Sequence, residues 1–294
     1  MSKLVSAVIT TYKRPTEIVF RALESVLNQT YSNIEVILVD DSPENYDGRI
    51  ALQNEILKYS DRVKYIQNEH NLGACASRNV GLDIANGDYI AFLDDDDEWL
   101  PNKIEYQISK FTNSNIGLVY CGRTVVNDST GKISNEPIVE CSGYIFDELI
   151  FNNFVGSTSY PLIKREALVD VGGFDPLMES AQDYDVWLRL AKKYEVDFVN
   201  IPLVQYHIHE GERISTNFKS RISGQERLID KNIEYLRRNH KAWWWRLLRL
   251  SFQYGKSKQL KSAMKIWIKG AAKQPFRVVT NVKYLLYIFY YRIK

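Results

Sequence analysis

Cysteine is scarce in this chain: Cys75, Cys121 and Cys141 are its only three. Their number is odd, their spacing is not that of a metal site, and no secretory leader follows Met1-Ser2-Lys3. These are features of a chain kept in a reducing, cytoplasmic setting. Long apolar runs are missing too. No stretch of about 18 uncharged apolar residues occurs, so no membrane-spanning helix is expected. Two glycine signatures are absent: no Gly-x-Gly-x-x-Gly follows the first apolar run, and no Gly-x-x-x-x-Gly-Lys-Ser/Thr occurs. That removes dinucleotide enzymes and P-loop NTPases. The His-Glu-x-x-His of zinc peptidases is absent as well. Finally, acidic residues stop at Glu234.

That last absence uncovers a divided charge. The formal net charge is only +2, yet residues 219–294 hold 19 Lys and Arg against 3 Asp and Glu, a net of +16. Residues 1–218 carry the compensating −14. Such asymmetry marks regions with different partners, so a domain over 1–218 and a separate tail over 219–294 are expected. With 294 residues and 45% hydrophobic content, the chain can bury a sizeable core.

Strands and helices alternate along the first half. Leu4–Thr11 is a β-branched apolar run that ends in Tyr12-Lys13-Arg14-Pro15. Thr16–Asn28 shows a helical stripe of Val19, Leu23, Val26 and Leu27. Ile34–Val39 reads as a second strand, followed by Asp40-Asp41-Ser42-Pro43. A helix is expected near Ile50–Tyr59, a third strand over Val63–Gln67 and a helix over Ala74–Ala85. Tyr89-Ile-Ala-Phe-Leu is a fourth strand, followed directly by Asp94, Asp95, Asp96 and Asp97. This alternation predicts an α/β fold, Rossmann-like, with a mostly parallel sheet flanked by helices. In such sheets ligands bind beyond the carboxyl ends of the strands. Thr10–Arg14, Asp40–Asp41, Asn71–Arg78 and Asp94–Asp97 should therefore converge on one crevice. In extended backbone Asp94 and Asp96 would share one face, and Asp95 and Asp97 the other. Carboxylates this close repel unless a cation or donor lies between them. A hard divalent cation shared with substrate phosphates suits the run; a solvated acidic loop is the plainer alternative.

The second half is less regular. Gly172-Gly173-Phe174-Asp175-Pro176 reads as a turn before Gln182-Asp183-Tyr184-Asp185-x-Trp187-Leu188-Arg189-Leu190, the start of a helix. Asp183, Trp187 and Leu190 fall on one face. Asp183 is either a helix cap or a general base held rigidly at the rim of a cleft. Further on, His207 and His209 would share a strand face. Too few ligands accompany them for zinc, but His209, beside Arg213 and Ser215, could serve phosphate or a metal.

Taken together, these motifs resemble glycosyltransferase family 2, of the GT-A fold and the bacterial surface-polysaccharide type. The resemblance covers about the first 215 residues. It rests on Val-Ile-Thr-Thr-Tyr with Arg14, Val-Asp-Asp-Ser, Asn71-x-Gly73 with Ser77-Arg78-Asn79-x-Gly81, Phe-Leu-Asp-Asp-Asp-Asp-Glu-Trp-Leu-Pro, Gly-Gly-Phe-Asp, and Gln-Asp-Tyr-Asp-x-Trp-Leu-Arg-Leu, in that order. It implies that Thr10, Tyr12 and Asp41 line the base pocket and that Arg14 and Arg78 contact the nucleotide. It implies that Asp96 is the chief Mn²⁺ or Mg²⁺ ligand, that Asp94 contributes to the metal or ribose, and that Asp95 lies near the ribose. It makes Asp183 the catalytic base and His209 a further metal or diphosphate contact. One departure is visible: Gln182 stands where the family usually has Glu, a change that would tune the base without removing it.

The implied chemistry fits the residue types. A nucleotide diphosphate leaves readily only if its growing charge is offset, which a bound divalent ion does. The acceptor hydroxyl must lose a proton as it attacks, so a carboxylate is needed. A single base opposite the leaving group implies one displacement, with inversion. The expected partners are a nucleotide-sugar, with UDP the expected nucleotide, and a glycan or lipid-linked acceptor. A sugar nucleotidyltransferase and a non-catalytic scaffold are the alternatives. The tail reads as basic amphipathic helices rich in Trp and Tyr: Trp244, Leu247, Leu248 and Ser251 form a stripe, with Arg246 and Arg249 off it. That composition suits an anionic membrane surface, and so a peripheral location on the inner face of the cell membrane. Packing of the aromatics on protein, including a second subunit in a homodimer, competes with it. No nucleic-acid recognition fold is evident.

Overall fold

The computed structural model describes residues 2–208 and 217–293. Strand β1, Val5–Thr11, is buried almost throughout because a parallel strand covered on both faces tolerates a mainly apolar sequence. Helix α1 (Thr16–Leu27) packs Val19, Ala22, Leu23 and Val26 inward. Then come β2 (Ile34–Asp40), α2 (Asp47–Ile56), β3 (Val63–Gln67), α3 (Ala74–Ile84) and β4 (Tyr89–Asp94). Strands β3-β2-β1-β4 pair in parallel in that spatial order. Gly81 lets α3 lie against β1, since a Cβ there would collide with the Val8 side chain.

Beyond β4 the sheet becomes mixed. β5 (Glu98–Trp99), α4 (Lys103–Ile108), β6 (Ile116–Asn127), β7 (Ile133–Asn135), α5 (Phe146–Leu149), β8 (Leu162–Lys164), α6 (Arg165–Asp170), α7 (Gln182–Ala191) and β9 (Glu195–Ile208) follow. β8 runs antiparallel between β4 and β6, while β6 and β9 pair in parallel along most of their length. The Rossmann-like α/β expectation therefore holds, with an antiparallel insertion after its fourth strand.

The register fixes where chemistry can occur. Thr10 stands opposite both Val39 and Asp94, Thr11 opposite Asp40, and Asp40 opposite Gln67. The carboxyl ends of four parallel strands thus form one polar row above an apolar sheet.

The chain divides into two compact units. Unit 1 comprises Met1–Leu149, Asn153–Pro176 and Asp183–Glu210 and holds the sheet. Unit 2 comprises Ile150–Asn152, Leu177–Gln182 and Gly211–Lys294. Its helices are α8 (Phe218–Lys231), α9 (Ile233–Arg238), α10 (His240–Lys256), α11 (Leu260–Ala271) and α12 (Val278–Ile293). Helix α10 is the core of unit 2, packed against α8, α11 and α12. Trp244, Leu247, Leu248 and Ser251 are buried there as protein packing. The Trp244 indole N–H donates to Asn281 Oδ1 at 2.7 Å, and that of Trp267 donates to the Asn281 carbonyl at 2.9 Å. Arg246, expected off the buried stripe, is only 2% exposed. A helix covered on several sides has no solvated face to which that arginine could turn.

Candidate active site

The acidic run does not continue the strand. Strand β4 ends at Asp94, and the Asp97 N–H donates to the Asp94 carbonyl at 3.1 Å, closing a turn. The simple alternation expected of extended backbone is therefore replaced by four distinct environments. Asp94 Oδ1 accepts from Arg78 Nη2 at 2.8 Å and Thr158 Oγ1 at 2.9 Å, and its Oδ2 accepts from Ser157 Oγ at 3.0 Å. Burial raises its pKa, but Arg78 and these hydroxyl donors outweigh burial and hold it below the usual value. Asp95 accepts from Thr11 Oγ1 at 2.7 Å and Arg14 Nε at 3.0 Å. Burial dominates there, against Arg14, and pushes the carboxyl up to about 6. Asp96 remains partly accessible, with Arg14 Nη2 at 3.3 Å. Asp97 is fully buried. It accepts from Ser159 Oγ at 2.6 Å, and burial together with Asp94 and Asp96 lifts its pKa well above the usual range.

A polar layer supports the turn from behind. Arg21 of α1 donates to the Asp96 carbonyl at 2.8 Å and lies 3.3 Å from Glu98. Glu98 Oε1 is 2.9 Å from His207 Nε2, and His207 Nδ1 is 2.6 Å from Asp128. Burial lowers the His207 pKa, but the two carboxylates outweigh burial and raise it. His207 is thus tied to Glu98 and Asp128. His209, the other member of the pair, lies outside the described residues, as do Arg213 and Ser215.

Other expected positions surround the same strand ends. Thr10 is half-buried, and Tyr12 is exposed, with Lys13 Nζ 5.4 Å from its ring centroid. Asp41 is buried. Its Oδ1 accepts from Asn68 Nδ2 and the Leu72 N–H, each at 2.8 Å, and its Oδ2 accepts from the Gly73 N–H at 2.9 Å. Asp41 therefore holds the Asn71-x-Gly73 loop, where Gly73 has φ +83° and suits glycine. Arg78 lies 5.5 Å from the Phe174 ring centroid. Asn79 donates to the Phe174 carbonyl and accepts its N–H, both at 2.8 Å. Two motifs 95 residues apart thus meet directly.

Helix α7 carries Asp183 in its first turn. Asp183 Oδ1 accepts from the Tyr184 N–H at 2.7 Å, and Oδ2 from Asn153 Nδ2 at 3.2 Å. Burial raises its carboxyl to about 6; Arg78 lowers it and Asp94 raises it, so both lie within electrostatic range. The neighbouring carboxylate has a different task. Asp185 pairs with Arg189 Nη2 at 2.8 Å, and that guanidinium donates to the carbonyls of Val171 and Gly173. The Gln-Asp-Tyr-Asp-x-Trp-Leu-Arg-Leu motif thus uses Asp185 and Arg189 to anchor the helix to the Gly-Gly turn, leaving Asp183 at the site. Sequence reasoning missed Ser157, Thr158, Ser159, Asn153 and Arg21. A run of hydroxyl residues after Gly156 was the visible trace of the first three.

The donor set suits a hard divalent ion. Asp94 is held ionised, Asp96 is accessible, and both offer oxygen. Among the described residues no three His, Cys, Asp or Glu side chains gather as a ready-made cage. The remaining ligands would be phosphate oxygens and water, the usual way Mg²⁺ is held.

The fold with this site at its strand ends is that of the GT-A glycosyltransferases. The structure of S. aureus TarS residues 1–349, in complex with UDP-GlcNAc, matches 92% of this chain and 92% of its own with a TM-score of 0.62, at 15% identity. The chain itself belongs to glycosyltransferase family 2: the family model described as Glycosyl transferase family 2 matches residues 6–172. It is 31% identical over 234 residues to an Escherichia coli UDP-Glc:α-D-GlcNAc-diphosphoundecaprenol β-1,3-glucosyltransferase, WfaP, covering 75% of this chain and 83% of that one. It is 33% identical over 231 residues to WcaA of E. coli strain K12, a glycosyl transferase assigned to colanic acid biosynthesis, covering 75% and 78%. Family membership makes the protein a glycosyltransferase, so nucleotidyltransfer and a purely structural role give way.

Proposed function

We propose that the protein is an inverting, metal-dependent glycosyltransferase that moves a sugar from a UDP-sugar to a hydroxyl of a lipid-linked or glycan acceptor in surface-polysaccharide synthesis. Support for this donor and acceptor comes from the glucosyltransferases it resembles and from the UDP-GlcNAc complex of TarS. The observation that carries the mechanism is one loop joining the two carboxylates: Asn153 donates to Asp183, while Ser157 and Thr158 donate to Asp94, which also accepts from Arg78. Diphosphate recognition and proton removal then share one crevice.

In this reading Thr10, Tyr12 and Asp41 receive the base, Asp95 stands near the ribose, and Arg14 and Arg78 turn from their aspartates to the diphosphate. Asp96 and Asp94 would hold Mg²⁺ or Mn²⁺, with His209 a further candidate, and the ion would supply charge stabilisation to the departing UDP. Asp183 accepts the acceptor's hydroxyl proton as the new bond forms at the anomeric carbon and the bond to the β-phosphate oxygen breaks. Asn153 holds one Asp183 oxygen in place. We also read unit 2 as holding the enzyme at an anionic membrane on its cytoplasmic side, a homodimer being the competing use of that region.

Asp183→Asn tests the central claim. Transfer should fall by about 10³-fold or more while UDP binding, measured by calorimetry, stays within about twofold. A variant with near-normal transfer removes Asp183 from the base role.

A further inference from the structure

The aromatic stripe that marked the tail as membrane-seeking is spent on the interior of unit 2, because Trp244, Leu247 and Leu248 are buried. If unit 2 meets a membrane, another surface must do so. Helix α12 supplies one. Asn281 and Ile288 are buried, Ile288 lies against Gly255 of α10, and Tyr284 packs edge-on to Trp245. These contacts anchor one side of the helix.

The other side is uncovered. Val279, Val282, Leu286 and Phe289, spaced i, i+3, i+7 and i+10, are all exposed, Val279 by 84% and Leu286 by 62%. Phe276, just before the helix, is 97% exposed. On α11, Ile268 is exposed among Lys261, Lys265 and Lys269, which are exposed too. Arg277 and Lys283 add charge beside the α12 stripe, and no acidic residue follows Glu234. Among the described residues no helix is long and apolar enough to cross a membrane.

We infer that the outer face of α12, with Phe276 and the flanking Arg277 and Lys283, is the surface by which unit 2 lies on an anionic bilayer. This inference rests on the membrane reading above and gives it a specific surface. Charge decides between lipid and a second copy of the chain. A two-fold symmetric contact brings the same patch against itself. Here that would set cation against cation around the apolar stripe, whereas anionic headgroups neutralise the cations while acyl chains receive the stripe. A helix with an apolar stripe and flanking lysines lies in the interface plane, and tyrosines such as Tyr290 favour that depth.

The test is vesicle flotation of the full chain at 150 mM salt with phosphatidylglycerol–phosphatidylcholine vesicles, compared with pure phosphatidylcholine. The wild type should float with the anionic vesicles only. Val279→Glu with Leu286→Glu, both at exposed positions, should cut the floating fraction by at least about tenfold. UDP binding by calorimetry and circular dichroism should stay unchanged, which separates this face from the nucleotide site and from misfolding. A wild type that fails to float overturns the membrane reading. A wild type and a double variant that float equally well overturn this face. A variant that floats normally but changes from dimer to monomer in light scattering makes the face a subunit contact.

Discussion

Two aspartates in the site carry a measurable consequence of burial. In the proposed mechanism Asp183 can act as a base only when ionised, and burial pushes its carboxyl up to about 6. The rate of transfer, as kcat/KM, should therefore rise through about pH 6 and level off above pH 7; a profile flat down to pH 4.5 would assign the proton transfer elsewhere. Asp95 offers a stability test. Its folded-state pKa of about 6 lies above the ordinary 3.8, so the folded state prefers its protonated form. Its contribution to stability is full below about pH 4 and is lost as pH rises through 6. Asp95→Asn is neutral at every pH. In metal-free buffer it should stabilise the protein by up to about 3 kcal/mol at pH 8 and by almost nothing at pH 4, read as Tm against pH. Arg14, Asp41 and Asp94–Asp97 stood out in the sequence because charged residues at or just after the ends of apolar runs are conspicuous. Ser157, Thr158, Ser159 and Asn153 did not, since small polar residues in a loop show no period. Only the fold brings Ser157, Thr158 and Ser159 back to Asp94, 63, 64 and 65 residues away, and Asn153 to Asp183.

Among the elements, β1, β2 and β4 were readable because strands inside the sheet are mainly apolar, and edge strand β3 through its Val63, Tyr65 and Ile66. The short strands β5, β7 and β8 were not, since two or three residues carry no alternation. Helix α7 shows how an element serves two ends. Arg189 satisfies the buried Asp185 and two carbonyls of the Gly172-Gly173 region, which holds the helix that presents Asp183. Arg189→Ala leaves that carboxylate buried without its cation. A loss of about 3–5 kcal/mol is expected by chemical denaturation, and a loss under 1 kcal/mol would show the tie to be dispensable. Helix α10 misled for the opposite reason. A basic aromatic helix reads as a surface helix until neighbours on several sides are known, and only the packed structure reveals them.

For the whole molecule, the sequence exposed a division of charge more clearly than any element. The +16 of residues 219–294 and the −14 of the remainder separate a cationic region from an acidic one. If the cationic part meets lipid, binding should weaken about tenfold or more between 50 and 500 mM NaCl, because exposed charges are screened over that range. A residual, salt-resistant fraction should remain from the apolar stripe of α12. Salt-independent flotation would count against an electrostatic share. What sequence could not supply was the partition of the aromatics between interior and exterior, since both use the same residue types at the same spacing.

The salt links between Arg14 and Asp95 and Asp96, and between Arg78 and Asp94, bear on the order in which ligands can arrive. A lone dication would have to evict guanidinium groups already seated on its ligands, and a lone pyrophosphate would have to draw them away from aspartates left bare. On the proposed mechanism, arriving together, each would supply what the other displaces: the ion would take over the aspartates and the phosphates the arginines. Entry of the two halves would then be mutually reinforcing.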